Sequence, residues 1–226
     1  MKLRAVVFDF DGVLANSEPL HLAAFQHALA TEGITITEPE YYEHYLGFDD
    51  VGSFAAAASL HGRSWNAGDI ARLMACKAVR LEDLERDRSV LFPGAADAVK
   101  RLAGDYTLAI ASGALKREIL RVLEREQLTR FFRAVVSAED TPASKPAPDP
   151  YVRSVELLRQ AIGSPLRAGE CVAIEDSRWG IESARAAGLL TVGITTSYSA
   201  DALGGANVII PSLEALTTEF LSNLSR

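Results

Sequence analysis

The chain has 226 residues and a formal net charge of −7, from 30 acidic and 23 basic side chains; 48% of it is hydrophobic and 23% charged. Such a composition suits a folded protein with one large domain, or a core carrying a smaller inserted domain. It argues against nucleic acid or an anionic membrane as partner, because the basic residues are not gathered: the densest group, ALKREILRVLERE, alternates with Glu as a solvated helix face does.

The first predicted element is a strand, LRAVVFDF, whose nearly continuous apolar run suits a strand covered on both faces of a parallel sheet. After Gly12 the period changes. SEPLHLAAFQHALATEG has apolar residues at helical spacing, Ser17 as candidate cap, Pro19 in the first turn and Gly33 at the stop. EPEYYEHYLG, DDVGSFAAAASLHG and NAGDIARLMACKAVRLEDLERD also read as helices, and no strand is predicted from about Ser17 to Asp87. Pro93-Gly94 then punctuates the chain. Beyond it come helix GAADAVKRLAG, strand YTLAIAS, helix ALKREILRVLERE, strand FRAVVSAED, helix DPYVRSVELLRQAIG and strand CVAIEDS. Helix WGIESARAAG, strands LLTVGIT and NVIIPS, and helix LEALTTEFLSNL complete the chain. The alternation predicts a wound α/β core from residues 1–16 and 88–226, with a helical insert over 17–87.

Cys76 and Cys171 form no close-spaced motif, so neither a disulfide framework nor a zinc site is expected. The start MKLRAVVFDFD turns acidic too early for a signal peptide, and no run of about 20 apolar residues is present to span a bilayer. The expectation is a cytoplasmic protein that binds neither membrane nor nucleic acid.

The chemistry gathers at predicted strand ends, where open α/β sheets bind their ligands. Asp9 and Asp11 follow the first strand. Residues two apart on an extended chain face the same way, and two carboxylates sharing one buried volume repel. A hard cation such as Mg²⁺ would offset that cost. AIASG ends in Ser112 and Gly113, a hydroxyl and a free backbone N–H near a helix start. ASKPAPDPY places Lys145 in a proline-stiffened loop. AIEDS ends in a second acidic pair, Glu175 and Asp176. Singly, each fits a helix cap, a turn or a surface lysine. Together, after strands of one sheet, they point to a site.

These stretches resemble the haloacid dehalogenase superfamily, in particular its phosphatases and the β-phosphoglucomutase-like subgroup. DFDGVLANSE resembles the family's first motif, IASG the second, SKPAPDPY the third and IEDSRWGIESARAAG the fourth, while FPGAADAVKRL resembles the segment re-entering the core. The resemblance implies a Rossmann-like core with a helical cap inserted after the first strand. It implies Asp9 as a nucleophile forming an aspartyl phosphate, and Asp11 as general acid and then base. The implied metal ligands are Asp9, the Asp11 carbonyl, Asp176 and Glu175, around Mg²⁺. Ser112 and the Gly113 N–H would hold phosphate oxygens, and Lys145 would neutralise charge. A literal dehalogenase fits poorly, since it needs no metal and rarely has Asp at the second acidic position.

For the insert, the resemblance places His21 at a cap-hinge histidine and Lys77 near a lysine that reaches the substrate; the plain alternatives are a helix residue and a solvated helix lysine. The family's mutases hold a second phosphate with an arginine in the loop that here reads LGFDDVGSF, where Asp50 would repel it. A phosphatase of a small phosphorylated metabolite, such as a sugar phosphate, is therefore expected, and the resemblance implies a monomer. Arg63 or Arg117 could supply the missing charge, so a β-phosphoglucomutase-like mutase is the alternative. A phospho-accepting receiver domain is the remote one, since such domains are shorter and lack the insert. Tyr41, Tyr42 and Tyr45 are expected to pack the cap, Trp179 to pack against the core or the cap edge, His27, His44 and His61 to be surface or cap residues, and Cys171 to be buried.

Overall fold

The computed structural model describes residues 2–45, 48–86 and 89–224. The chain divides into two compact units, one of residues 1–16 and 90–226 and one of Ser17–Ser89. The predicted junction at 87/88 falls on Asp87 and Arg88, and the loop glycine before Asp50 on Gly47; these lie outside the described residues. No described helix is long and apolar enough to cross a membrane.

In the first unit, six described strands form one parallel sheet. They are β1 (Ala5–Phe8), β2 (Thr107–Ala111), β3 (Phe132–Val136), β4 (Cys171–Glu175), β5 (Leu190–Ile194) and β6 (Val208–Ile210), in the order β3-β2-β1-β4-β5-β6. β1 is central: Phe8 stands beside Ile110 of β2 and Ile174 of β4. All four of its residues are buried, which is why its sequence is apolar without alternation. From β1 the strand order runs outward both ways, so the gap between the β1 and β4 ends is the topological switch point. The unit's helices are α5 (Ala95–Leu102), α6 (Lys116–Arg125), α7 (Asp149–Ile162), α8 (Arg178–Ala186) and α9 (Thr218–Leu224). Tyr151, Val155 and Leu158 of α7 pack on the small strand residues Ala109, Ala111 and Ala173. This is a Rossmann-like α/β fold.

Several predicted elements differ in extent, among them the strand FRAVVSAED, which ends at Val136 before a 3₁₀ turn at Ala138–Asp140. The first strand stops at Phe8 rather than Phe10, because the N–H groups of Leu14 and Ala15 both donate to the Phe10 carbonyl, at 2.9 Å, and close a turn. The final helix is two pieces, a 3₁₀ turn at Leu213–Ala215 and α9. The Thr217 hydroxyl accepts from the Phe220 N–H at 3.1 Å and starts a new helix there, while Leu213, Leu216 and Leu221 all stay buried.

The chain leaves and re-enters this unit at one place. Ala15 and Leu91 form an antiparallel bridge, the Asn16 N–H donates to the Val90 carbonyl at 2.7 Å, and the Phe92 N–H donates to Leu14 at 2.9 Å. An insert can start and end here without opening the sheet.

The second unit holds α1 (Glu18–Ala30), α2 (Glu38–His44), α3 (Asp50–Leu60) and α4 (Ala67–Glu85). Phe25 is its centre, with ring centroids of Phe54 at 4.9 Å and Tyr45 at 5.1 Å. Tyr41 and Tyr45 pack as expected, while Tyr42 is 42% exposed. Ser17 holds the N-cap position of α1 but makes no capping bond; Thr37–Glu40 and Asn66–Asp69 form capping boxes for α2 and α4.

Candidate active site

The strand ends bring four of the predicted residues together. The Asp9 N–H continues the ladder by donating to the Ile174 carbonyl at 2.9 Å, which places its side chain at the end of β1 beside the end of β4. Asp9, Glu175 and Asp176 are buried, and each offers a carboxylate oxygen within 4.8 Å of the others. The Lys145 ammonium lies between them, 2.9 Å from Asp9 Oδ1 and 2.6 Å from Glu175 Oε1. Ser177, not the acidic pair, caps α8: its hydroxyl accepts from the Gly180 N–H at 3.1 Å, leaving both carboxylates for the cluster.

Two glycines make room for these carboxylates. A β-carbon on Gly180 would stand 1.9 Å from the carboxyl carbon of Glu175, and one on Gly12 would stand 1.9 Å from Asp176 Oδ2. Gly12 also adopts φ 77°, where a side chain is strained.

The electrostatics are one-sided. Burial, reinforced by the Asp9 carboxylate, pushes Glu175 and Asp176 above the usual carboxylate range. Burial alone would lower the Lys145 pKa, but Asp9 and Glu175 outweigh it and hold the ammonium charged. Burial and the Glu175 carboxylate together keep the Tyr151 phenol protonated. Three carboxylates thus face one ammonium. Excess buried negative charge on an all-oxygen donor set is what a hard divalent cation relieves.

Asp11 does not join the cluster through its side chain. Among the described residues the cluster is Asp9, Glu175 and Asp176. The strand ends at Phe8, and Asp11 lies beyond it in a bridge to Ala15. Ser112 follows the last residue of β2, almost fully buried, and its hydroxyl accepts from the Ala114 N–H at 3.0 Å. Gly113 follows it, exposed, with open space where a side chain would stand.

Three residues of the site escaped sequence reasoning. The Tyr151 hydroxyl donates to Glu175 Oε1 at 2.5 Å. Ser197 hydrogen-bonds Asp176, and the neighbouring Thr196 hydroxyl donates to the Gly12 carbonyl. Tyr151 lay inside the SKPAPDPY motif but read as an ordinary helix residue. The TTSYS loop carries no signal at all.

A family model described as haloacid dehalogenase-like hydrolase matches residues 6–194. The chain belongs to this family. It is a phosphohydrolase of the haloacid dehalogenase-like group. Among its relatives, Protein CbbY of Rhodobacter capsulatus is 30% identical, covering 99% of this chain and 100% of its own. Fructose-1-phosphate phosphatase YqaB of Escherichia coli is 29% identical, covering 84% of this chain and 95% of its own. In fold, the chain is similar to a crystal structure of β-phosphoglucomutase from Clostridium difficile, with TM-score 0.85, 20% identity and coverage of 99% and 97%.

In this haloacid dehalogenase-like chain, the predicted cap residues occupy the helical unit. His21 is half-buried in the first turns of α1. Lys77 is not a solvated lysine: it is 6% exposed and paired with Asp50. That pairing also corrects the view of Asp50 as a free repelling charge, since a neighbouring ammonium offsets it. Beside them the Tyr41 hydroxyl donates to Glu18 Oε1 at 2.5 Å, and burial raises the Glu18 pKa despite that bond. Arg63 is committed to the Glu32 carbonyl at 3.0 Å, and Arg117 lies exposed on α6. Trp179 packs on Tyr198, ring centroids 6.1 Å apart. His27, His44 and His61 are exposed, and Cys171 is buried.

Proposed function

We propose that the protein is a Mg²⁺-dependent phosphatase of a small phosphorylated metabolite, in the first instance a sugar monophosphate, working through an aspartyl phosphate on Asp9. The observation that carries the reading is the convergence of Asp9, Lys145, Glu175 and Asp176 at the switch point of the sheet. The donor set fits the metal, which Asp9, Glu175, Asp176 and the Asp11 carbonyl would hold. Bound there, Mg²⁺ supplies positive charge against the phosphoryl oxygens.

Asp9 attacks phosphorus as the bond to the leaving oxygen breaks, and Asp11 gives that oxygen its proton. Asp11 then takes a proton from water as the water oxygen attacks phosphorus, and the Asp9–phosphorus bond breaks to release phosphate. Ser112 and the Gly113 N–H hold phosphoryl oxygens, and Lys145, 2.9 Å from Asp9 Oδ1, holds that carboxylate in place. Such a short set suffices, because phosphoryl transfer depends mainly on positioning and charge.

The sugar class is supported by the relatives, one of them named as a fructose-1-phosphate phosphatase. The monophosphate is supported by the Asp50–Lys77 pair, which leaves Lys77 already matched. The test is a panel of phosphorylated metabolites with Mg²⁺, with released phosphate and isomerised sugar read in the same wells. Phosphate release is expected, abolished in Asp9→Asn, stopped by EDTA and restored by Mg²⁺. Isomer without net phosphate would establish a mutase instead, and undiminished turnover in Asp9→Asn would remove the nucleophile.

A further inference from the structure

Glu175 is completely buried, and its two oxygens have unequal surroundings. Oε1 takes two short bonds, from Lys145 Nζ at 2.6 Å and from the Tyr151 hydroxyl at 2.5 Å. Oε2 takes one long bond, from the Ser177 hydroxyl at 3.3 Å. Tyr151 is itself immobilised. It lies in the first turn of α7, fully buried in the core with Val155 and Leu158, and the Lys145 ammonium sits 5.4 Å from its ring centroid. The bare α-carbon of Gly180 lets the carboxyl lie against α8.

We propose that Tyr151 is a positioning residue for the metal site: with Lys145 it occupies Glu175 Oε1 and so turns Oε2 to the cation. The second donor matters because Lys145 has two duties. It bridges Asp9 and Glu175. Were it the main anchor of Oε1, any rotation of the Glu175 carboxyl would pull the ammonium off Asp9. The phenol takes up that anchoring and leaves the ammonium shared. A tyrosine that only filled the core would need any acceptor for its hydroxyl, whereas this one takes the oxygen already bound by Lys145.

The inference rests on the metal-dependent reading above, and its test separates the two. Mg²⁺ binding to the metal-free protein is measured by calorimetry for the wild type, Tyr151→Phe and Val155→Ala, with the Mg²⁺ dependence of turnover alongside. Tyr151→Phe keeps the ring and its packing; Val155→Ala loosens the same core without touching Glu175. Tyr151→Phe is expected to bind Mg²⁺ about tenfold more weakly, the usual scale for losing an outer hydrogen bond to a metal ligand. Its half-saturating Mg²⁺ should rise in step, with kcat largely recovered at saturating metal, while Val155→Ala keeps wild-type affinity. Unchanged Mg²⁺ affinity in Tyr151→Phe, or an equal loss in Val155→Ala, would overturn the positioning role and leave the phosphatase reading standing. A wild type that binds no Mg²⁺ would overturn both.

Discussion

A single hydrogen atom at Gly180 decides whether Glu175 can lie where it does. Replacing glycine by alanine inside a helix normally gains about 0.5–1 kcal/mol. Here the added carbon would fall 1.9 Å from the Glu175 carboxyl, so either the side chain or α8 must move. Gly180→Ala is therefore expected to reverse the usual sign, costing about 1–3 kcal/mol as overpacking does, and to weaken Mg²⁺ binding. Urea unfolding and a Mg²⁺ titration read both; a variant at least as stable as the wild type would show that Glu175 is no obstacle. Asp9, Ser112, Lys145, Glu175 and Asp176 were legible in the sequence because each closely follows an apolar run or sits in a proline-marked loop. Tyr151 and Ser197 were not. A tyrosine on an apolar helix face and a serine in a loop are the commonest of residues, and only their partners distinguish them.

Among elements, α3 and α4 are tied by the Asp50–Lys77 pair, whose lysine is almost wholly buried. Sequence reasoning treated Asp50 as a charge set against phosphate, and Asp50→Arg would then improve the hold on a second phosphate. The pair changes that expectation. Asp50→Arg would leave a buried ammonium facing another cation, at a cost of about 1–3 kcal/mol after allowance for the partial exposure of Asp50. Urea unfolding with hydrogen exchange over α3 and α4 measures it, and unchanged protection there would show the pair to be dispensable. The helices and strands themselves were mostly legible, since their apolar periods are local. Their ends were less so. β1 gives way where the N–H groups of Val13, Leu14 and Ala15 converge on the Phe10 carbonyl, and the last helix breaks where Thr217 caps a new turn.

For the whole molecule, the exit at Asn16 and the re-entry at Val90 are hydrogen-bonded neighbours, so the helical unit is inserted without cost to the sheet. All three clustered carboxylates belong to the sheet unit. A ligand that binds only the folded state stabilises what it touches. Mg²⁺ added to the metal-free protein is thus expected to slow amide exchange at the ends of β1 and β4, read by exchange mass spectrometry. No change at either strand end would place the metal elsewhere.

The amino-acid sequence by itself determined the alternation of strands and helices, the interruption after the first strand and the acidic, hydroxyl and lysine residues at strand ends. These rest on short-range causes: side-chain period, turn chemistry and the apolar character of a central strand. Tertiary structure alone decided that Tyr151 meets Glu175, that Ser197 meets Asp176 and that Lys77 is answered by Asp50. Each of those partnerships joins residues more than twenty positions apart. Which pair meets depends on how whole elements come into register, and no local pattern records that.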